Sequence, residues 1–188
     1  MSILALTSNT LIGTAAAGNI EYDGQFFGTD SNASRAQLQR IVRATAVSAS
    51  GTSVDFTGIP AWVKRVTVMF TGVSHNGSTA ANDQLIIQIG SGSITSSGYV
   101  SICVGTSATT GFLLTNSISG AATFSGVSVI SLIGSNTYAQ FGNLSGNGTC
   151  QYGAGSVALG GALDRVRITT VGGTDTFDAG TINILYEG

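Results

Sequence analysis

The chain is predicted to be all-β, an antiparallel β-sandwich of jelly-roll type preceded by an extended, hairpin-bearing arm. Three observations predict it. First, Asp164-Arg165-Val166-Arg167-Ile168-Thr169-Thr170 and Thr181-Ile182-Asn183-Ile184-Leu185-Tyr186 alternate side chains with period two, split by Gly172-Gly173-Thr174-Asp175. β-Branched residues at that period, interrupted by glycine and aspartate, read as paired antiparallel strands. Second, similar runs recur from Thr45 onward, giving roughly eight to ten strands at about 8–14-residue spacing, the pattern of a sandwich or barrel. Third, no helix-period segment of useful length and no 20–50-residue repeat interrupts them.

Residues 1–44 read as an anchoring arm. Asp23-Gly24 is a favoured hairpin turn, because both central positions want positive φ. Ile20 and Tyr22 before it would share a face with Phe26 or Phe27 after it. Thr29 to Ser34 reads as a loop. Ala36-Gln37-Leu38-Gln39-Arg40-Ile41-Val42 alternates, with a short helix capped by Asp30 or Ser31 as the alternative. Too few apolar residues occur here for an independent core, so the arm is expected to dock on a protein surface.

Residues 45–188 read as the sandwich. Ser53-Val54-Asp55-Phe56 leads into a turn fixed by Pro60, the chain's one proline. Trp62 to Phe70 places Val66, Val68 and Phe70 on one face. Gly72 to Asp83 reads as a loop. Gln84-Leu85-Ile86-Ile87-Gln88-Ile89 is apolar on both faces, which predicts a central strand. Further strands are expected over 99–104, 111–114, 124–133, 137–141 and 156–159. The closing hairpin is too small to stand alone and must complete a sheet built earlier.

Composition narrows the function. The formal charge is −2 and 9% of residues are charged, far below the roughly 25% of an ordinary domain. Nucleic acid and anionic lipid are therefore poor partners. No Asp, Glu, Lys or Arg occurs from Gln84 through Leu163. Such a surface suits packing against copies of itself or against sugars. No apolar run is long enough to span a membrane as a helix, and Met1 to Leu6 makes a poor signal peptide. Two cysteines, Cys103 and Cys150, allow one disulfide at most; both are expected to be unpaired and buried.

Catalytic groupings are sparse, and neither enzyme activity, metal nor cofactor is expected. His75, the lone histidine, falls in the turn-prone Gly72-Val73-Ser74-His75-Asn76-Gly77 and is expected to be an exposed loop residue. No Gly-x-Ser-x-Gly elbow accompanies it. Asp164, Asp175 and Asp178 lack the spacing of a calcium loop, and Asp175 and Asp178 read as turn residues. The opposed carboxylates of a glycosidase cannot be assigned. Asn32, Asn76, Asn143 and Asn147 head glycosylation-type triplets and read as loops.

Binding remains. Tyr99, Tyr138, Phe141 and Tyr152 lie in the uncharged region near glycine loops, where rings could stack on sugars, with half or more of them expected in the core. His75 and Asn76 join them as candidate ligand contacts. Arg35, Arg40 and Arg43, with Tyr22 and Phe26, are candidate inter-subunit or anchoring contacts. The arginines could alternatively pair with Asp30, Asp55, Asp83 or Asp164 and fix register.

Three strings carry a resemblance. Ala16-Ala17-Gly18-Asn19-Ile20-Glu21-Tyr22-Asp23-Gly24, with 29–35, resembles the segment leading into the distal region of bacteriophage tail fibres and related virion proteins. Gly51-Thr52-Ser53-Val54-Asp55-Phe56-Thr57-Gly58-Ile59-Pro60, continuing to Phe70, is similar to the opening of their C-terminal domain. Leu163 to Thr170 and Thr174 to Ile184 are similar to its close. The resemblance implies a homotrimeric sandwich displayed on a virion, held to other virion proteins by the arm and attached to glycan on the bacterial surface. The middle, about 75–160, is where receptor choice would be expected. Such domains usually end a long fibre, whereas this sequence is read as an arm and a domain without a shaft. A short fibre, a capsid or tail decoration protein that stabilises the particle, or a fragment all fit. A polysaccharide-degrading enzyme is the alternative from another class.

Overall fold

The structure, a computed structural model, describes residues 17–22, 26–78, 81–116, 122–146 and 148–188. The chain forms two compact units, Met1–Arg40 and Ile41–Gly188. Its described residues form antiparallel sheets, with a single 3₁₀ turn at Ala81–Asp83 and no α-helix. The all-β prediction holds.

In the first unit, β1 (Ile20–Tyr22), β2 (Phe26–Thr29) and β3 (Arg35–Gln37) form a three-stranded sheet in that order. Tyr22 stands opposite Phe26, their ring centroids 5.0 Å apart. The Asp23-Gly24 turn itself lies outside the described residues. Asp30 does not cap a helix. Its carboxylate accepts the Asn32 and Ser34 amides, each at 2.9 Å, so the side chain closes a tight loop. Arg35 pairs with Glu21 at 2.6 Å across the sheet, where Asp30 had been one expected partner.

The second unit opens with β4 (Ile41–Arg43), β5 (Val47–Ser48), β6 (Ser53–Thr57) and β7 (Arg65–His75). Then come β8 (Leu85–Ser91), β9 (Ser93–Ile94), β10 (Val100–Cys103), β11 (Thr106–Ala108) and β12 (Phe112–Leu113). Three long strands follow, β13 (Phe124–Gly134), β14 (Thr137–Gly146) and β15 (Thr149–Ala158), and the chain closes with β16 (Arg165–Thr170) and β17 (Phe177–Glu187). Among the described residues, one sheet runs β11-β10-β15-β14-β13-β7-β17-β4, with β5 also on β17. The other runs β12-β8-β16-β6, with β9 on β8.

The two sheets bury one core between them. Val66, Val68, Phe70, Ile182 and Ile184 point inward from the large sheet, and Val54, Leu85, Ile87, Ile89, Val166 and Ile168 from the small one. Each such side chain contributes about 1.5–3 kcal/mol of apolar burial. β8 is central as its two-faced apolarity predicts. Its other face buries Ile86 with Cys103 and Leu113, where β10 and β12 come together.

Two strand boundaries differ from expectation. β14 and β15 form a longer hairpin than predicted, paired from Thr137↔Ala158 through Gly146↔Thr149. Glycines at 142, 146, 153 and 155 had read as loop, but inside a sheet they make room for close neighbours. β7 likewise does not stop at Gly72. That residue takes φ 59, a conformation open to glycine, and the strand bulges there and continues to His75.

The strings that resemble fibre domains meet in space. β6 pairs with β16, Asp55 opposite Arg167, and β7 pairs with β17, Val68 opposite Ile184. One pair lies in each sheet. The opening and closing strings thus form a frame, and β8 to β15 are inserted in it.

Candidate functional site

The two outer faces of the sandwich differ in chemistry. On the small sheet, Arg167 forms a two-pronged ion pair with Asp55, both contacts 2.7 Å, and Arg165 pairs with Asp164 at 2.7 Å. Beside them Thr169 donates to the Thr52 carbonyl at 2.8 Å, and the Gln88 amide donates to the Thr110 carbonyl at 2.8 Å. Ser53, Gln88, Arg167 and Thr169 line a small polar hollow there. Its cation is already neutralised by Asp55. This face satisfies itself and is suited to water.

The large sheet presents the opposite. Strand register sets its outward residues in rows. One row runs Ile102, Ala154, Phe141, Val129, Thr67. A neighbouring row runs Tyr152, Asn143, Val127, Met69, and another begins Val100, Ser156, Ala139, Ser131. Val100 is 74% exposed, Phe141 63%, Tyr152 58% and Ile102 52%. No charged side chain stands among β10, β13, β14 and β15. At its border Arg65 and Glu187, directly opposite each other on β7 and β17, are joined in an ion pair. The face is uncharged, with exposed apolar side chains interleaved with Ser156, Ser131, Asn143 and Thr67, and an exposed apolar cluster of this kind is a candidate interaction surface.

Its shape follows from the sequence of each row. Ala154 separates Ile102 from Phe141, and Ala139 lies between Ser156 and Ser131. Large side chains therefore stand beside hollows floored by small ones. A second surface can interdigitate with such relief, as facing sheets do at about 10 Å.

The aromatic candidates divide between core and surface. Tyr99 and Tyr138 are core residues, with hydroxyls used internally, and do not reach a surface ligand. Tyr99 Oη accepts the Ile89 amide at 2.8 Å and donates to the Thr95 carbonyl at 3.1 Å, with its ring edge-on to Phe112. Burial pushes its phenol up to about 12. Tyr138 Oη accepts the Leu163 amide at 2.9 Å. Phe141 and Tyr152 are the two that face outward.

His75 is not an exposed loop residue. It is 1% exposed, at the end of β7, edge-on to Phe177. Its position follows from the continuation of β7 past Gly72. Nδ1 accepts the Gly77 amide at 3.2 Å, which leaves the neutral ring's proton on Nε2. Burial holds its pKa below the usual histidine value, against the opposing pull of Asp175, Asp83 and Asp178. The Ser74 hydroxyl donates to Asp178 and does not address the imidazole. Asn76 pairs with Thr176, whose amide donates to its side-chain carbonyl at 2.8 Å, so it pins two loops together. Among the described residues no three of His, Cys, Asp and Glu are grouped to hold a metal.

Of the anchoring candidates, Tyr22, Phe26 and Arg35 are engaged with one another's strands in the first unit. Arg40 is exposed. Arg43 is exposed on β4 opposite Leu185, in the main sheet. Both cysteines are free, Cys103 buried and Cys150 exposed. Burial of both is thus corrected for Cys150, which points outward on β15 opposite Ser145.

Sequence reasoning missed Val100, Ile102 and Val127 as site residues. Alternation places each on one side of its strand, but only the register brings them together. No family model, characterised protein or solved structure matches this chain, so the fibre resemblance rests on the residue strings themselves.

Proposed function

We propose that this chain is a non-enzymatic structural protein of a bacteriophage particle, a tail-fibre-like adhesion domain that works as a homotrimer in attachment to the bacterial surface. The first unit, Met1–Arg40, would hold other virion proteins, and surface glycan is the proposed host ligand. The carrying observation is the frame. The strings that resemble fibre domains, remote in sequence, pair as β6 with β16 and β7 with β17. The inserted strands β8 to β15 are the uncharged part of the chain, where partner choice can vary without touching the frame.

Deleting the gene from a phage that encodes it tests the reading. An adhesin loss gives intact particles that fail to adsorb. Fragile particles that still adsorb would replace this reading with that of a decoration protein, a role the apolar outer face also suits. Release of reducing sugar from host polysaccharide by the purified protein would replace both with an enzyme.

A further inference from the structure

We infer that the outer face of the β10-β15-β14-β13 part of the large sheet is the surface through which copies of this chain assemble. The inference builds on the proposed oligomeric reading and names the face that such an oligomer would use.

Three features select a second copy as the occupant. Size comes first. Val100, Ile102, Val127, Phe141 and Tyr152 leave on the order of 500 Å² of side chain in water, given the roughly 150–250 Å² of a whole aromatic. With Val129, Met69 and the alanines of the same rows, this approaches the roughly 800 Å² that each partner brings to a standard interface. A patch of about this size is at the upper end of what monomers keep, and such patches are often functional.

Charge is the second feature. A foreign partner is selected and steered by complementary charge, and β10, β13, β14 and β15 carry none. The flanking Arg65 and Glu187 neutralise each other. A copy of the chain meets this face with an equally uncharged one, leaving no charge buried unpaired. Directly across the strands from Phe141 stand Val129 and Ala154, so the centre of the face is apolar, with Asn143 and Tyr152 in the next row.

Relief is the third. Ile102 and Phe141 rise on either side of Ala154, so the face is complementary to its own pattern when shifted by one strand. Copies that repeat one relief need no other partner to fill it.

The test uses the full chain. Sedimentation equilibrium at micromolar concentration should give an oligomer, three protomers under the fibre reading. A dimer would support the face and overturn the trimer. Phe141→Glu and Ile102→Glu, both at exposed positions, should weaken association by at least about 30-fold, as loss of a central anchor does, while far-ultraviolet dichroism stays unchanged. Thr57→Glu, on the outer face of the small sheet, should leave the oligomer intact. A monomeric parent protein, or an oligomer indifferent to both Glu variants, overturns the inference. So does a monomer whose binding to immobilised bacterial polysaccharide is abolished by Phe141→Glu, which assigns the face to glycan. Adsorption of the gene-deleted phage is read separately, so failure of the face and failure of the attachment role are told apart.

Discussion

The Gly77 amide donates to Nδ1 of His75 at 3.2 Å inside the fold, so a backbone turn reads the protonation state of the chain's one histidine. A proton on Nδ1 would set donor against donor. Burial already keeps the folded pKa below the ordinary 6.5. Above that value both folded and unfolded chains hold the ring neutral and nothing is lost. As pH falls below it, the unfolded chain takes up a proton that the folded chain resists, so stability declines. Urea midpoints measured at pH 7.5 and 5.5 should show this decline. In His75→Gln the same interval should be flatter.

Removing the Tyr99 hydroxyl should be costly for a residue that touches no ligand. Tyr99→Phe leaves the Ile89 amide, paired at 2.8 Å in the parent, without a partner in the core. The expected loss is about 1–3 kcal/mol, read from denaturant unfolding. Tyr138→Phe should fall in the same range through the Leu163 amide.

Two glycines should respond in opposite ways to the same substitution. A Cβ at Gly142 would lie 2.7 Å from both the Ser128 Cα and the Val127 carbonyl, because β13 and β14 approach there. Gly142→Ala should destabilise by about 1–3 kcal/mol or more. A Cβ at Gly160 meets nothing within 4 Å, and Gly160→Ala should be neutral or stabilise by about 0.4–1 kcal/mol through the unfolded chain. Thermal melts of the pair distinguish backbone crowding from general sensitivity.

The thiols should separate in a labelling experiment. Cys103 is buried, and burial pushes its thiol up to about 11. Cys150 is exposed. Iodoacetamide at neutral pH should add one group to the folded, unassembled chain, at Cys150, and a second only in denaturant. Peptide mass mapping checks the assignment.

The ion pair of Arg167 with Asp55, for all its two-pronged geometry, is open to solvent. Asp55→Asn should cost less than about 1 kcal/mol, and less still in high salt.

Much of the fold was legible because it was written in alternation. β16 and β17 follow directly from their period-two strings, and β8 is central because Leu85, Ile87 and Ile89 fill its inner face while Ile86 is buried on the other beside Gln88. Tyr138 and Phe141 show how far local pattern reaches. Three residues apart on one strand, they must point to opposite sides, so one could be core and the other surface. Which was which depended on the face β14 gives to β8 and β16, set by pairing with β13 and β15. His75 was misread for a related reason. Its string is turn-like, and its burial depends on the edge-on contact with Phe177, on a strand far along the chain. The candidate face was the least legible feature. Val100 and Val127 each look like ordinary strand residues, and only β15 and β14 between them make one surface.

The placement of the last two strands has a consequence for synthesis on the ribosome. β16 lies between β6 and β8, and β17 between β7 and β4, so strands made early wait for neighbours made last. A nascent chain halted before Leu163 exposes open β-edges in both sheets at once, the condition under which unfinished β-proteins stick to one another. Nonsense truncation before Leu163 should therefore yield aggregates in place of a shortened domain.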